Sequence, residues 1–235
     1  MKILIFISAL FFVVASRAEW NVELQWNVCM DSESRLIEIF ESDKLEMTKR
    51  NISYYDTKDL QLLAQNVVVR ERVENKKSEI NVKVKVSEDA EISDEWKETK
   101  GFKCEFDVHG QNKIFHCSLK VKHKIEEATN EFLSRKQVQF LKEFAPETVD
   151  LLKDVKKMGA IKNKTYDLET EDVEVTIEAD RYKGSYFLEI SQRVPYSESL
   201  AAKEQMQAFL SEKGIKLCER QESSTTKKLK ALSSN

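Results

Sequence analysis

The chain has 235 residues, of which 34% are charged and 41% hydrophobic, and its formal net charge is -3 at pH 7. This length is enough for one large domain with a full hydrophobic core. The negative net charge argues against a generally basic protein that binds nucleic-acid duplexes, so any basic site must be local.

The first eighteen residues have the pattern of an export signal. Lys2 gives a short basic start, residues 3–15 form an apolar run, and Ser16-Arg17-Ala18 is a small-x-small cleavage site. The apolar run is shorter than the roughly twenty residues that a transmembrane helix needs. We therefore predict a mature chain that begins near Glu19, is secreted or periplasmic, and does not associate with a membrane after cleavage. An uncleaved membrane anchor is the alternative.

Hydrophobic periodicity predicts nine strands and four helices along the mature chain. The strands are 22–28, 52–57, 66–73, 79–86, 102–108, 113–123, 160–168, 172–180 and 185–193, and the helices lie near 31–48, 125–144, 146–158 and 198–213. Residues 221–235 are rich in Ser, Thr and Lys and are predicted to be a flexible tail. Residues 19–220 would then form one folded domain.

The predicted strands alternate apolar residues with charged ones. In residues 173–180, for example, Val175 and Ile177 belong to one face, and Glu178 and Asp180 to the other. A single hairpin of this kind could be a sheet with one solvated face. Because so many strands share the pattern and helices are available to cover the apolar side, we predict an α+β fold. It would be an antiparallel barrel of eight or nine strands with a charged lumen and helices packed outside.

Basic side chains of three strands share the face that such a barrel would turn inward. Guanidinium and ammonium groups that converge in a confined space suit a polyphosphate chain. Carboxylates on the other walls suit a hard divalent cation such as Mg²⁺ or Mn²⁺. The predicted phosphate-binding residues are Arg70, Arg72, Lys83, Lys85, Lys120 and Lys122.

The segment Tyr54-Tyr55-Asp56-Thr57, followed by strands carrying Arg70 and Arg72 and then Lys83 and Lys85, resembles the CYTH family of triphosphate tunnel proteins. Asp180-Arg181-Tyr182-Lys183-Gly184 is similar to the family's turn into its late strand, and Lys162 and Lys164 are similar to its later basic residues. The resemblance implies a tunnel that takes polyphosphate, a nucleotide or another organic phosphate. It also implies a Mg²⁺ or Mn²⁺ ion held by Glu23 and Glu189, with Asp180 and Glu178 as further ligands.

The chain departs from the family pattern at its carboxylates. The family's first strand reads Glu-x-Glu-x-Lys, whereas this chain has Glu23-Leu24-Gln25-Trp26-Asn27, and Glu189-Ile190-Ser191 stands for Glu-Ile-Glu. Fewer carboxylates lower the affinity for a hard cation. We therefore favour an exported protein that binds a phosphorylated or polyanionic ligand with little or no turnover. The alternative is a divergent metal-dependent triphosphatase, and a third hypothesis is a structural module with an empty or plugged lumen.

Four cysteines in an exported chain are compatible with disulfides. Gly110-Gln111 is suited to a type II′ turn, and counting outward from it places Cys104 directly opposite Cys117 and His116 opposite Glu105. This register predicts a Cys104–Cys117 disulfide. Cys29 and Cys218 could form a second one between the two ends of the fold, although nothing local favours it.

Overall fold

The computed structural model describes residues 20–30, 32–40, 45–123, 132–169 and 174–234. The predicted signal peptide lies outside these ranges. Nine strands are found within them: β1 (Asn21–Val28), β2 (Glu46–Asp56), β3 (Val67–Glu74), β4 (Lys77–Lys85), β5 (Phe102–His109), β6 (Asn112–His123), β7 (Lys156–Glu169), β8 (Glu174–Tyr182) and β9 (Ser185–Pro195).

These strands form one closed barrel in the order β1-β5-β6-β4-β3-β2-β7-β8-β9. The predicted barrel is confirmed. All neighbouring pairs are antiparallel except β1 and β5, which are parallel. A ring with an odd number of strands cannot alternate direction all the way round, so a ring of nine needs at least one parallel pair.

Helices cover the outside of the barrel. The described residues contain α1 (Glu33–Ile39), α2 (Gln61–Ala64), α3 (Asp94–Glu98), α4 (Arg135–Phe144), α5 (Ser199–Glu212) and α6 (Ser224–Ser233). The main hydrophobic core lies between α1–α5 and the outward side chains of the strands, where Trp26 and Phe106 of the wall belong to the same cluster as Trp96 and Phe140 of the helices. No helix in the described parts of the chain is long and apolar enough to cross a membrane.

Two predicted helices differ from the structure. The helix predicted at 31–48 ends as α1, and residues 46–50 belong to β2, where they pair with β7. The segment predicted at 146–158 is a 3-10 helix at Pro146–Asp154, followed by β7. In both cases long-range pairing between β2 and β7 overrides a local sequence preference. The first part of the helix predicted at 125–144 lies outside the described residues, and α4 begins after a capping box at Ser134.

The C-terminal segment also differs from the predicted flexible tail, because residues 224–233 form α6. Leu229 and Leu232 of α6 are buried in a second apolar cluster with Ile52, Tyr54 and Ile161, which point into the barrel. This helix therefore fills one end of the lumen. Burying two leucines there stabilises the position of α6 by about 1.5–3 kcal/mol for each side chain.

Both pairs of cysteines form disulfides. The predicted Cys104–Cys117 bond is present, and the β5–β6 register matches the prediction from Cys104↔Cys117 to His109↔Asn112. Cys29–Cys218 joins the end of β1 to the segment that leads into α6. Two backbone hydrogen bonds anchor this segment to β1: Cys29 N donates to the Lys216 carbonyl, and Cys218 N donates to the Asn27 carbonyl. The Gln221 side chain also bonds to the Asn27 backbone.

Candidate functional site

The part of the lumen that α6 leaves open is a polar cavity of about 490 Å³. It reaches the end of the barrel at which β2 begins, because Glu46 is among its lining residues. Basic side chains outnumber acidic ones on its walls, so the cavity favours an anion. The charged lining residues are Arg50, Arg70, Arg72, Lys83, Lys103, Lys120 and Arg193 against Glu23, Glu46, Glu105, Asp167 and Glu178.

Arg70 and Arg72 are two neighbouring basic residues on the wall of the cavity. Burial acts to lower the pKa of Arg70, but attraction to Tyr54 and to carboxylates that include Glu178 raises it. They lie two residues apart on β3, so both side chains point inward. Neither forms an ion pair with a carboxylate of the described residues, and the buried Nε of Arg72 has no hydrogen-bond partner there. The charge of Arg70, together with burial, lowers the pKa of Arg72 to about 10. An anion placed between the two guanidinium groups would relieve this repulsion.

Lys83 of β4 is bound more firmly to the protein. It forms an ion pair with Asp107 of β5, and Nδ1 of His116 lies 3.3 Å from the same carboxylate. Although burial acts to raise it, these two neighbours hold the pKa of Asp107 well below its usual range. The predicted pairing of His116 with Glu105 is confirmed in the backbone register, but the His116 ring contacts Asp107.

One cluster of carboxylates in the cavity is a candidate site for a divalent cation. Glu23, Glu105 and Asp107 each place an oxygen within 4.8 Å of the others, and such a donor set suits a hard cation. However, Arg193 lies 2.9 Å from Glu23 and 3.3 Å from Glu105, Lys103 lies 2.6 Å from Glu105, and Asp107 is paired as described above. Protein cations already neutralise this cluster, so a metal ion does not fit without displacing them.

The remaining predicted metal ligands lie at the bottom of the lumen. Glu178 lines the cavity, whereas Asp180 and Glu189 are buried beneath α6. Lys228 of α6 forms an ion pair with Asp180, and its Nζ lies 3.7 Å from Glu178. Asn163 donates a hydrogen bond of 2.9 Å to the other oxygen of Asp180. Burial, together with neighbouring carboxylates, raises the pKa of Glu189 to about 8.

Four of the six predicted phosphate-binding residues line the cavity, and two do not. Lys85 and Lys122 have the inward parity of their strands, but they are exposed near opposite ends of the barrel. Parity defines the face of a strand and says nothing about how far along the tunnel a side chain lies. The residues that the structure brings together are Arg70, Arg72, Lys83 and Lys120.

Lys162 and Lys164, which the resemblance matches to the family's later basic residues, lie on the outer face of β7 and do not line the lumen cavity. The Lys164 side chain forms an ion pair with Glu33 of α1, and the alternate residues Asn163 and Thr165 are the ones that point inward. Lys162 lines a depression of about 640 Å³ beside the β8–β9 turn, together with Arg181. This depression lies on the outside of the barrel, away from the converging charges of the lumen.

The Tyr54-Tyr55-Asp56-Thr57 segment shapes the chain after β2. Asp56 is buried and accepts backbone hydrogen bonds of 2.7 Å from Thr57, 2.9 Å from Leu62 and 3.0 Å from Leu63. The carboxylate thus satisfies amide donors at the start of α2. The sequence motif is accordingly a structural element that turns the chain into β3 and its arginines.

Sequence reasoning missed Arg50, Lys103 and Lys228 among the basic lumen residues, and Glu46 and Asp167 among the acidic ones. Arg50 was missed because the strand that carries it begins earlier than predicted. Lys103 could have been found, because it lies two residues from Glu105 in a predicted strand and so shares its inward face. Lys228 lies in the predicted tail, where Leu229 and Leu232, at a helical spacing of three, are the one local sign of a packed helix.

The barrel is similar to those of solved structures. A "putative adenylate cyclase" from Bacillus halodurans has a TM-score of 0.62 and 16% identity, over 89% of this chain and 97% of that one. A "putative adenylyl cyclase" from Hippeastrum, described as having a dominant triphosphatase activity, has a TM-score of 0.56 and 16% identity, over 87% of this chain and 92% of its own.

The chain has the fold of these proteins. They share its closed barrel, the architecture that the sequence resemblance predicts. No protein-family model matches the chain, and no curated protein matches it. At 16% identity the similarity shows the fold alone. A function for this chain must therefore be argued from the residues of its own lumen.

Proposed function

We propose that the protein binds a phosphorylated or polyanionic ligand in the open part of the lumen, with little or no turnover. The observation that carries this proposal is the pair Arg70 and Arg72, which line one cavity and form no ion pair with a carboxylate in the described parts of the chain. Most other basic groups of the cavity are held by carboxylates, so this pair is the place where a ligand anion gains most. The ligand would be inorganic polyphosphate, a nucleotide or another organic phosphate.

The size of the cavity supports a small ligand. Its volume of about 490 Å³ lies in the usual range for small-molecule sites, about 300–1,000 Å³. Because α6 fills the other end, the ligand would enter and leave through the end at which β2 begins. Lys83 and Lys120 on adjacent strands would extend the contact beyond the two arginines.

The test is a calorimetric titration of the full chain with inorganic triphosphate, without metal. Arg72→Ala should weaken binding about tenfold or more, because a hydrogen bond to a charged group is worth about 1.5–3 kcal/mol. Lys85→Ala is the matched control: Lys85 has the same parity on a neighbouring strand but lies outside the cavity, so its replacement should change the affinity less than twofold.

A thermal melt of the same variants separates a binding role from a folding role. Removing Arg72 should leave the melting temperature of the ligand-free protein unchanged or raised, because the repulsion from Arg70 disappears. Equal losses of affinity in Arg72→Ala and Lys85→Ala would contradict the proposal, as would triphosphate binding that Arg72→Ala leaves intact.

The second candidate function is metal-dependent hydrolysis of a triphosphate. The triphosphatase activity described for the Hippeastrum structure favours it, and the carboxylates Glu23, Glu105 and Asp107 would hold the metal only after displacing the protein cations that pair with them. Phosphate release is measured in the same titrated samples with Mg²⁺ or Mn²⁺ added. Turnover of about one per second or faster would replace the binding hypothesis with this one.

We also propose that the protein is exported and works in an oxidising compartment. Two disulfides in one chain are typical of secreted or periplasmic proteins, and the N-terminal pattern supplies an export signal. Intact mass and N-terminal sequencing of the protein recovered outside the cytoplasm should give a chain that begins near Glu19. A full-length chain with free thiols would contradict this proposal.

A further inference from the structure

The buried acidic cluster at the bottom of the lumen contains its own cation. The Nζ of Lys228, a residue with 2% exposure, contacts the carboxylate of Asp180 and lies 3.7 Å from that of Glu178. Glu189 lies beside them with 8% exposure, and its Oε2 has no hydrogen-bond partner among the described residues. Two acidic side chains of β8 therefore contact or approach one ammonium group, and Glu189 of the adjacent strand β9 lies opposite Glu178 in the register.

Several independent contacts fix the position of this ammonium group. Leu229 and Leu232 anchor α6 in the apolar cluster inside the barrel. The segment before α6 is joined to β1 by the Cys29–Cys218 disulfide. The Lys228 side chain is thus held by the fold, unlike a surface lysine that samples many positions.

We propose that Lys228 takes the place of a divalent cation at the predicted metal ligands Glu178, Asp180 and Glu189. A buried carboxylate cluster needs a compensating positive charge, which in a metalloprotein an ion supplies. Here the ammonium group supplies it, and a metal ion could enter only by displacing a buried lysine from a packed helix. The lumen is therefore closed to Mg²⁺ and Mn²⁺ at this position.

The other acidic cluster of the lumen follows the same pattern. Glu23, Glu105 and Asp107 contact Arg193, Lys103 and Lys83. Protein cations thus balance both places at which a metal ion would otherwise bind. The inference concerns metal binding alone and does not depend on whether the cavity takes triphosphate.

The test measures Mn²⁺ binding to the full-length protein by electron paramagnetic resonance, which detects free Mn²⁺, with Mn²⁺ alone as the probe. Wild-type protein should show no site tighter than millimolar. Lys228→Met keeps an unbranched side chain, shorter by one atom, and removes its charge, so Mn²⁺ affinity should rise at least tenfold. Glu178→Gln in the Lys228→Met background should cancel that gain.

Lys230→Met is the matched control, because Lys230 lies on the same helix but is exposed; its affinity for Mn²⁺ should equal that of the wild type. If Lys228→Met does not fold, Lys228→Gln, which retains a polar donor, is titrated in its place. A wild-type site of micromolar affinity that Glu178→Gln abolishes would overturn the proposal. A folded Lys228 variant that binds Mn²⁺ no more tightly than the wild type would also overturn it.

Discussion

The two disulfides close loops of very different lengths, so they should stabilise the protein to different extents. The sequence separation is 13 residues for Cys104–Cys117 and 189 for Cys29–Cys218. If a disulfide acts mainly by restricting the unfolded chain, the loop-closure relation gives about 3 kcal/mol for the short loop and about 5 kcal/mol for the long one at 25 °C. We therefore expect the Cys29–Cys218 bond to contribute about 2 kcal/mol more to the free energy of unfolding than the Cys104–Cys117 bond.

The comparison uses two variants, each with one disulfide left. Cys29→Ala/Cys218→Ala retains the short loop, and Cys104→Ala/Cys117→Ala retains the long one. Urea unfolding of each variant, oxidised and then reduced, gives the contribution of its remaining bond without any change of side chain. Reduction of the long loop should also speed amide hydrogen exchange in α6, because that bond anchors the segment before the helix.

Two results would refute this reasoning. The chain-entropy argument would fail if the short loop contributed as much as the long one. The anchoring argument would fail if α6 exchanged equally slowly with and without the Cys29–Cys218 bond, since the helix would then be held by its buried leucines alone.

Three further predictions concern buried polar groups and one close approach. Burial raises the pKa of Glu189 from its ordinary 4.5 to about 8, so the native state keeps a proton that the unfolded chain loses. The contribution of this group to stability therefore falls between pH 4.5 and pH 8. Glu189→Gln should be more stable than wild type at pH 8 by on the order of 4 kcal/mol and no more stable at pH 4.5, as measured by urea unfolding. Asp56→Ala should lower the unfolding free energy by about 1–3 kcal/mol, because buried backbone donors lose their acceptor; an unchanged urea midpoint would contradict this. At Gly159, where φ is +155°, an added Cβ would lie 2.6 Å from Leu232 Cδ2. Gly159→Ala should therefore speed amide hydrogen exchange in α6. Gly184→Ala is the control and should not change this exchange, because a Cβ there would have no neighbour within 4 Å.

The sequence predicts most of the barrel because parity and turn geometry are local properties. Gly110 has φ +60°, as the first position of a type II′ turn requires, and the turn fixes the whole β5–β6 register up to the disulfide. In the same way, a spacing of two residues places Arg70 and Arg72 on one face of β3.

Position along the tunnel axis is the part that the sequence does not predict. Lys85 has the correct parity but lies outside the cavity, since its depth depends on the stagger of the closed barrel. The position of α6 depends on an apolar surface that Ile52 and Ile161 create only after the barrel has formed. Lys228 therefore has no recognisable role until the three-dimensional structure is known.

The parallel contact of β1 with β5 has a consequence for folding. β1 is the first strand of the chain, yet neither of its neighbours is close in sequence, and the ion pair between Glu23 and Arg193 spans 170 residues. During synthesis one edge of this strand stays unpaired until β5 has been made, and the other until β9 has been made, when nearly the whole domain exists. Contacts at such separation slow folding, and unpaired edges favour association with other chains. We therefore expect the pairing of β1 with β9, which closes the barrel, to be the slowest step of folding and the one at which the chain is most prone to associate with other chains.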